Sequence, residues 1–313
     1  MENFTPIVFQ QARDFSQKLN ITFEFIRQNF WPLVKSLLFI AGPVILIGSL
    51  LTGSLYAGYL NSITAMRTNP NSFFEFIASV NTWAQGGAAV IFIFISGAAV
   101  VSVVYSYMNE YNERRNNQIE TDAVWKRVRA CFGQMLLSFF LFFLMFIAGY
   151  ALIVTAVIGV MRLSALLGIL LGIAAFIFVI YSIIPLSMVF AVQAFEKAGF
   201  AKAAGRCFVL AKGKWWSTFG LIFITSMVQS MMASVFFIPW YANFIVTSLH
   251  SLEGPAIQNP SLISQLINNV FIVLYFVASF VLYAIPLIAI AFQYFNLMEL
   301  KEARGLMSRI ESM

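Results

Sequence analysis

Four basic side chains within one short stretch could bind an anionic group. The stretch is residues 196–216, EKAGFAKAAGRCFVLAKGKWW, and its candidate ligands for an acidic lipid headgroup are Lys202, Arg206, Lys212 and Lys214. Basic residues near a membrane surface attract anionic phospholipids by about 1 kcal/mol each. The sequence therefore predicts headgroup contacts along this stretch. The alternative is an enclosed headgroup or substrate cavity that these residues share with Arg114, Arg115 and Lys126.

Residues suited to catalysis are few. The chain has one histidine, His250, near Glu253, and two cysteines, Cys131 and Cys207. A nucleophile needs a base within hydrogen-bond reach, and metal-dependent phosphodiester chemistry needs a cluster of acidic and histidine ligands. His250 lies in a predicted outer connection, whereas both cysteines are predicted on the opposite side of the membrane as reduced, partly buried side chains. We therefore predict no enzymatic activity, no metal site and no cofactor.

The elements that must position these residues are membrane-spanning helices. Hydrophobic residues make up 60% of the 313 positions and charged residues 10%, with a mean hydropathy of +0.84. Soluble domains carry about 25% charged residues, so this composition indicates a membrane protein. A helix needs about 20 apolar residues to cross a bilayer, and the pattern lacks the alternation of a barrel. The sequence predicts an all-α, polytopic protein with six spans, at 33–60, 87–108, 131–160, 165–192, 217–247 and 266–293.

The basic residues predict the orientation of these spans. The N-terminal segment, the second-to-third connection, the fourth-to-fifth connection and the C-terminal tail hold 17 of the 19 lysines and arginines, and only Arg67 and Arg162 lie opposite. Because cytoplasmic segments are enriched in basic residues, both termini are predicted to be cytoplasmic. Tryptophan prefers the headgroup level. The predicted cytoplasmic interface anchors are Trp31, Trp125, Trp215 and Trp216, and Trp83 and Trp240 mark the outer ends.

The chain is predicted to form one integral membrane domain over residues 1–313. Residues 1–32 are expected to form an amphipathic interfacial helix with Phe15, Leu19, Phe23 and Phe30 near one face. A six-helix bundle over 33–293 and a cytoplasmic tail over 294–313 follow. Spans begin near 33, 131 and 217 after cytoplasmic interfacial segments, which indicates three parallel helical hairpins.

Two stretches carry a resemblance to a known group of proteins. Glu196, Arg206, Leu210, Lys212, Gly213 and the Trp215–Trp216 pair occur in order before STFGLIFI, and the N-terminal part reads FEFIRQNFWPLVKSLLFIAGPVILIGSLL. This order resembles the membrane domain associated with glycerophosphoryl diester phosphodiesterases and related uncharacterised bacterial multi-pass families. The resemblance implies the membrane architecture, without the separate soluble domain that performs catalysis in those enzymes.

The predicted spans contain few groups able to move ions. None of the 13 acidic residues falls inside a span, whereas ion-coupled transporters usually carry an ionisable residue at depth. Interhelical hydrogen bonds are expected from the neutral polar residues Gln134, Ser226, Gln229, Ser230 and Tyr283. Kinks are expected at Pro43, Pro185, Pro239 and Pro286, and these could open a cavity. Gly168 and Gly172 indicate a packing face, with a dimer motif as the alternative.

These observations favour a non-enzymatic multi-pass protein of the bacterial inner membrane. We expect an accessory or scaffold subunit of a membrane or envelope assembly, with a translocation complex as one candidate. Its expected partners are the lipid bilayer, anionic phospholipids and other integral membrane proteins. A nucleic-acid partner is not expected, because the net charge of +6 is spread over juxtamembrane segments and no nucleic-acid module accompanies it. The alternative is a transporter or lipid-handling protein with a cavity between proline-kinked helices. An enzyme acting on lipids ranks third.

Overall fold

The structure is a computed structural model that describes residues 5–66, 68–242, 245 and 262–303. Throughout this part of the chain the regular structure is helical and no strand occurs. The described chain divides into two compact units. The first unit comprises the residues up to Leu33, Val101–Thr225 and the residues from Ile285 onward, and the second comprises Val34–Val100 and Ser226–Ala284.

The described part of the chain contains the following α-helices. In chain order they are α1 (Phe15–Ser36), α2 (Gly42–Ala65), α3 (Ser72–Ala78), α4 (Val80–Arg114), α5 (Thr121–Met161), α6 (Ala165–Leu186), α7 (Val189–Glu196), α8 (Phe200–Ala211), α9 (Trp215–Ser234), α10 (Leu262–Leu282) and α11 (Ala284–Glu302).

Among the described residues, six helical segments are long and apolar enough to cross a membrane, which confirms the predicted number of candidate spans. They are Phe15–Ile63, Val80–Arg114, Thr121–Met161, Ala165–Glu196, Trp215–Ala242 and Asn269–Glu302. Most extend beyond the predicted apolar runs, because polar helical turns continue the same helices. No helix end falls at the predicted boundary between residues 32 and 33, since α1 continues to Ser36. Length and composition thus indicate a multi-pass membrane protein.

The four prolines predicted to bend spans all lie near irregular helical turns. A π-helical turn, Leu37–Ala41, comes just before Pro43, and the 3₁₀ turn Val235–Phe237 comes just before Pro239. Pro185 lies just before a break between α6 and α7, and Pro286 lies in the first turn of α11. Proline lacks the N–H that continues the helical ladder, which explains these interruptions.

A fifth proline shows how a freed backbone group is satisfied. Pro32 lies inside α1 and donates no hydrogen bond to the carbonyl of Gln28, four residues earlier. The side-chain amide of Asn117 donates to this carbonyl oxygen at 3.4 Å. The connection between α4 and α5 is thereby joined to α1 at the position where the proline opens the ladder.

The first unit has an aromatic core. Phe9 stacks on Tyr111 at a centroid distance of 5.8 Å and contacts Phe25 and Phe292 edge to face. All four rings are buried. The tyrosine hydroxyl accepts a hydrogen bond from the backbone N–H of Ile7 at 3.0 Å. The N-terminal segment, α1, α4 and α11 are therefore joined in this core.

A helical hairpin of α5 and α6 also belongs to the first unit, and its two helices pack against each other. A Cβ atom at Gly168 would lie 2.2 Å from Cγ of Met161, and one at Gly172 would lie 4.0 Å from the Val157 side chain. The Gly-x-x-x-Gly pair therefore packs α6 against α5 within one chain. This observation supports the predicted packing face over the dimer motif.

In the second unit, α2 packs against α10. A Cβ atom at Gly53 would lie 2.9 Å from the Val273 side chain, so the glycine allows the two helices to approach closely. A small buried cluster of Ala57, Phe237 and Ile272 lies in this unit.

Candidate functional site

The basic stretch around α8 begins and ends with special backbone conformations. Lys197 follows α7 with a positive φ of 52°, and Gly213 has a φ of 79° in the turn between α8 and α9. Glycine has no Cβ atom and adopts a positive φ such as that of Gly213 without a steric cost, which suits a turn at this position. The stretch therefore forms a separate twelve-residue helix between two sharp turns.

The four predicted headgroup ligands fall into two groups. Lys202, Lys212 and Lys214 are exposed, as headgroup binding requires. Arg206 is instead largely buried among carboxylates: its Nε donates to both carboxylate oxygens of Glu196 at 3.0 Å, and its Nη2 forms an ion pair with Glu302. Headgroup contacts at the three lysines therefore stay a prediction. Arg206 instead binds carboxylates within the protein.

Arg206 forms the centre of what we name the α7–α8–α11 cluster: Glu196, Arg206, Tyr294 and Glu302. The Tyr294 hydroxyl donates to Glu196 at 3.0 Å. Burial opposes the charged guanidinium, but hydrogen bonds and charge attraction from Glu302 and Glu196 outweigh it, so the pKa of Arg206 is raised above its ordinary value. The guanidinium remains charged throughout the physiological range, and it holds three helices together.

The sequence of α8 predicts one apolar stripe that faces either the acyl boundary or the neighbouring spans, formed by Phe200, Ala204, Cys207, Phe208 and Ala211. In the structure the buried residues of α8 are Ala203, Cys207, Leu210 and Ala211, so two residues of that stripe are buried. Phe208 is exposed, and Phe200 and Ala204 are half-buried. The small and branched residues face the protein because they permit close packing, and the exposed Phe208 is free to contact lipid.

Cys207 has no environment for nucleophilic chemistry. Its side chain is fully buried, and burial, aided by the negative charge of Glu196, raises the pKa of the thiol to about 12. A thiol with such a pKa is protonated at neutral pH and unreactive. Cys131 lies near Ser106, with a sulfur-to-oxygen distance of 3.6 Å. Both cysteines are free thiols, in agreement with the predicted reduced state.

The basic residues between α4 and α5 belong to a different ion-pair cluster. Arg114 and Arg127 both bind the carboxylate of Glu110, and Arg127 also binds Glu113. Glu110 is buried, two residues beyond the predicted end of the second span. Arg114 and Arg206 therefore have different carboxylate partners, which argues against the alternative of one cavity shared by the two basic segments.

A buried lysine lies at the start of α1. The side chain of Lys18 is only 2% exposed, and its Nζ donates to Ser217 Oγ and Gln293 Oε1, each at 2.7 Å. Gln293 in turn donates to Thr218 Oγ1 at 2.8 Å. The sequence places Lys18 away from the face that carries Phe15, Leu19, Phe23 and Phe30, and the structure shows that Lys18 faces the protein, whereas Gln17 and Arg27 are exposed.

The buried face of α1 comprises Lys18, Thr22, Phe25, Asn29 and Leu33. The spacings of four, three, four and four residues place them on one side of the helix. Phe15, Phe23 and Phe30, from the predicted apolar face, are exposed. The regular spacing of Lys18, Thr22 and Asn29 was a signal in the sequence that could have identified the inward face.

One predicted interhelical hydrogen bond is present: in the second unit, Gln229 on α9 donates to the carbonyl of Ser279 on α10 at 3.2 Å. In the first unit, Gln134 on α5 donates to the carbonyl of Ala198 at 2.8 Å, in the turn between α7 and α8. The role predicted for Gln229 is therefore confirmed, and Gln134 binds a turn instead of a helix. Ser226, Ser230 and Tyr283 remain predictions.

The predicted interface tryptophans have unequal environments. Trp31 and Trp216 are about three-quarters exposed, at 76% and 77%, and Trp125 is exposed by 39%. Trp215 stacks on Tyr181 at a centroid distance of 5.8 Å, and its Nε1 donates to the Tyr181 carbonyl at 2.9 Å. Trp215 therefore joins α9 to α6, whereas the other three indole rings are accessible to headgroups.

The second unit contains an apolar cavity of about 430 Å³. It lies between α2, α3, α4 and α10, and its lining residues are Thr52, Leu55, Tyr56, Tyr59, Phe76, Ile77, Thr82, Trp83, Gly86 and Phe276. None of the four predicted kink prolines lines it. Its volume falls in the range of roughly 300–1,000 Å³ typical of small-molecule pockets.

Metal-ligating residues do not cluster in the part of the chain that the structure describes, where no group of three or more His, Cys, Asp or Glu could hold an ion. His250 and Glu253 lie outside the described residues.

Comparison with known proteins gives no family assignment. No protein-family model matches the chain, and neither a curated protein nor a solved structure matches it significantly.

Proposed function

We propose that this chain is a non-enzymatic, multi-pass protein of the bacterial inner membrane. It serves as an accessory or scaffold subunit of a membrane or envelope assembly, with a translocation complex as one candidate. Its partners are the bilayer, anionic phospholipids and other integral membrane proteins.

The exposed surface of the α5–α6 hairpin is the observation that carries this proposal. Within the most apolar 18-residue stretch of Thr121–Met161, no residue is buried. In the corresponding stretch of Ala165–Glu196, 11% of the residues are buried. Helices in a bilayer associate through van der Waals packing and hydrogen bonds, and most spans of a bundle bury one face in this way. The hairpin packs on α7, α8 and α9 near one end, but its most apolar stretches are exposed and have a large surface for a partner helix.

Two features of α5 favour a protein partner over lipid alone. Tyr150 is 72% exposed near the middle of the apolar part of α5, and it forms no hydrogen bond with the described residues. A hydroxyl group in hydrocarbon gains from a partner, since lipid tails offer none. A Cβ atom at the neighbouring Gly149 would meet no atom within 4 Å, so another backbone can approach there.

The proposed topology has both termini in the cytoplasm and three helical hairpins. Contacts within the first unit support it, because they join segments that the basic residues assign to one side. Asn109 near the end of α4 donates to the carbonyl of Ala194 near the end of α7, and Arg206 joins the ends of α7 and α11. Lys18 near the start of α1 binds Ser217 near the start of α9.

The resemblance to the membrane domain associated with glycerophosphoryl diester phosphodiesterases agrees with this proposal. It implies the membrane architecture of those proteins, in which a separate soluble domain performs catalysis. The exposed Lys202, Lys212 and Lys214 supply the contacts to anionic phospholipids in this proposal.

Photocrosslinking in native membranes tests the scaffold function. A benzophenone amino acid is placed at Tyr150 or at Phe176, which is 66% exposed on α6, and at Phe74, an equally exposed aromatic on α3. We expect one discrete crosslinked protein from the two hairpin positions and none from Phe74. Purification in a mild detergent then identifies the partner and its stoichiometry. Crosslinks to lipid alone from both hairpin positions would refute the scaffold function.

The alternative of a transporter or lipid-handling protein is favoured by one observation, the cavity in the second unit. Purification as a monomer without a stoichiometric partner, together with transfer of lipid between vesicles, would support this alternative.

A further inference from the structure

The cavity in the second unit has walls that are fixed by specific contacts. A Cβ atom at Gly58 would lie 2.8 Å from the ring of Phe76, so the glycine lets α3 pack closely on α2 and holds this ring in the wall. Trp83 lies at the rim, 69% exposed, and its Nε1 donates to the carbonyl of Ile77 at 2.8 Å. The indole is thereby fixed between α3 and α4.

Gly86 keeps part of the cavity open. It lines the cavity on α4, and a Cβ atom there would meet no atom within 4 Å. A larger side chain at this position would occupy the cavity without displacing its walls.

The surroundings of the cavity determine what can fill it. Apart from Phe76 and Ile77 of α3, its lining residues belong to helical segments apolar enough to span a membrane, and the medium around such segments is hydrocarbon. An apolar cavity does not hold water, because water there would lack hydrogen-bond partners. An empty one would forfeit dispersion contacts along its walls. The molecules available to restore these contacts are the acyl chains of the bilayer.

We infer that this cavity binds one acyl chain of a membrane phospholipid. The chain extends along α2 past Tyr56 towards Thr52, and Tyr59 and Trp83 lie nearer the connections of α3. Aromatic rings with a polar edge prefer the headgroup level, so the headgroup lies at that end of the cavity. Binding of this lipid does not depend on the scaffold function, because it involves only residues of the second unit.

Two leucine substitutions on neighbouring glycines test the site. Gly86→Leu fills the cavity, and Gly87→Leu is its matched control, because Gly87 also has open space around its Cβ position but does not line the cavity. The proteins are transferred from phospholipid nanodiscs into detergent and weighed by native mass spectrometry. We expect the unchanged protein and Gly87→Leu to retain one phospholipid per chain and Gly86→Leu to retain none. Equal retention by all three, or detergent in place of lipid in the unchanged protein, would overturn the inference.

A second measurement uses the unchanged protein and so does not depend on the folding of a variant. The protein is loaded with a phospholipid that carries a diazirine in its acyl chain, stripped of loosely bound lipid by detergent, and irradiated. We expect label on the cavity walls of α2, α3 and α4 and none on the α5–α6 hairpin, because any lipid on the hairpin surface is loosely bound and is removed by the detergent. Label confined to the hairpin, or absent altogether, would contradict the bound acyl chain.

Discussion

Arg206 joins three helices whose residues are far apart in the sequence. It binds Glu196 on α7 and Glu302 on α11 from its own position on α8, and all three side chains are largely shielded from solvent. Removing one partner of such a cluster leaves charged groups without hydrogen bonds, which costs more than the pair contributes. The arginine therefore stabilises the structure, rather than serving as a mobile ligand for headgroups.

We expect Arg206→Met to lower the free energy of unfolding by about 1–3 kcal/mol, because two partly buried carboxylates lose their donor. Lys202→Met, at an exposed position four residues away on the same helix, is the control and should leave the melting temperature unchanged. Thermal unfolding in detergent measures both.

Because the pKa of Arg206 is raised in the folded protein, its stabilisation is complete below the ordinary arginine pKa and is lost only as the pH rises through the folded-state value. The difference between the variant and the unchanged protein should therefore be constant from about pH 6 to about pH 9, where every arginine is charged. A smaller difference at the alkaline end would contradict this role of Arg206.

A second prediction concerns the stabilisation that Lys18 provides, because its ammonium group is buried among neutral hydrogen-bond acceptors. Lys18→Met keeps the length of the side chain and removes the donor to Ser217 and Gln293, so we expect a loss of about 1–3 kcal/mol in the free energy of unfolding. Arg27→Met, on the exposed side of the same helix, should have no measurable effect. The same melting experiment applies to both variants. Equal melting temperatures for Lys18→Met and the unchanged protein would show that the buried amine adds nothing.

At the scale of elements, α1 shows that hydrophobic periodicity alone does not identify the side of a helix that faces the protein. In a soluble helix the apolar side faces the protein, whereas a helix beside a bilayer can turn its apolar side to lipid and its polar residues inward. Phe15, Phe23 and Phe30 are exposed, and Lys18 and Asn29 are buried. Periodicity identified the two faces of α1, but only the packed structure shows which of them faces the protein.

The α5–α6 hairpin gives a prediction that depends on the close approach of two helices. A Cβ atom at Gly168 would lie 2.2 Å from Cγ and 3.0 Å from Cα of Met161, so Gly168→Ala must push the helices apart. We expect a cost of about 1–3 kcal/mol from this overpacking. Gly149→Ala is the control. It has open space and removes the helix penalty of glycine, so it should be neutral or stabilising by up to about 1 kcal/mol. Chemical unfolding in detergent distinguishes the two, and a stabilised Gly168→Ala would disprove the tight contact.

At the scale of the whole molecule, hydropathy predicted the helical class and the six candidate spans, because a helix in hydrocarbon must satisfy all its backbone groups internally. The clusters around Arg206 and Lys18 could not be predicted in this way. Glu196 and Glu302 are separated by about a third of the chain, and no local pattern indicates that they share one guanidinium. Cavity residues such as Gly86 and Phe276 come from different spans, so their meeting also depends on packing.

The membrane topology of the chain yields the last prediction. Basic residues are attracted to the cytoplasmic side, and the segments that hold 17 of the 19 are joined by contacts at the ends of α4, α7 and α11 in the first unit. We expect reporter fusions after Arg115, after Lys212 and at the C-terminus to be active in the cytoplasm. Fusions within 61–86 and within 248–265 should be active outside it. The paired fusions after Arg115 and within 61–86 provide the control, because α4 alone separates them and a correct topology requires opposite signals. The same signal from both would remove one span and with it the proposed arrangement of three hairpins.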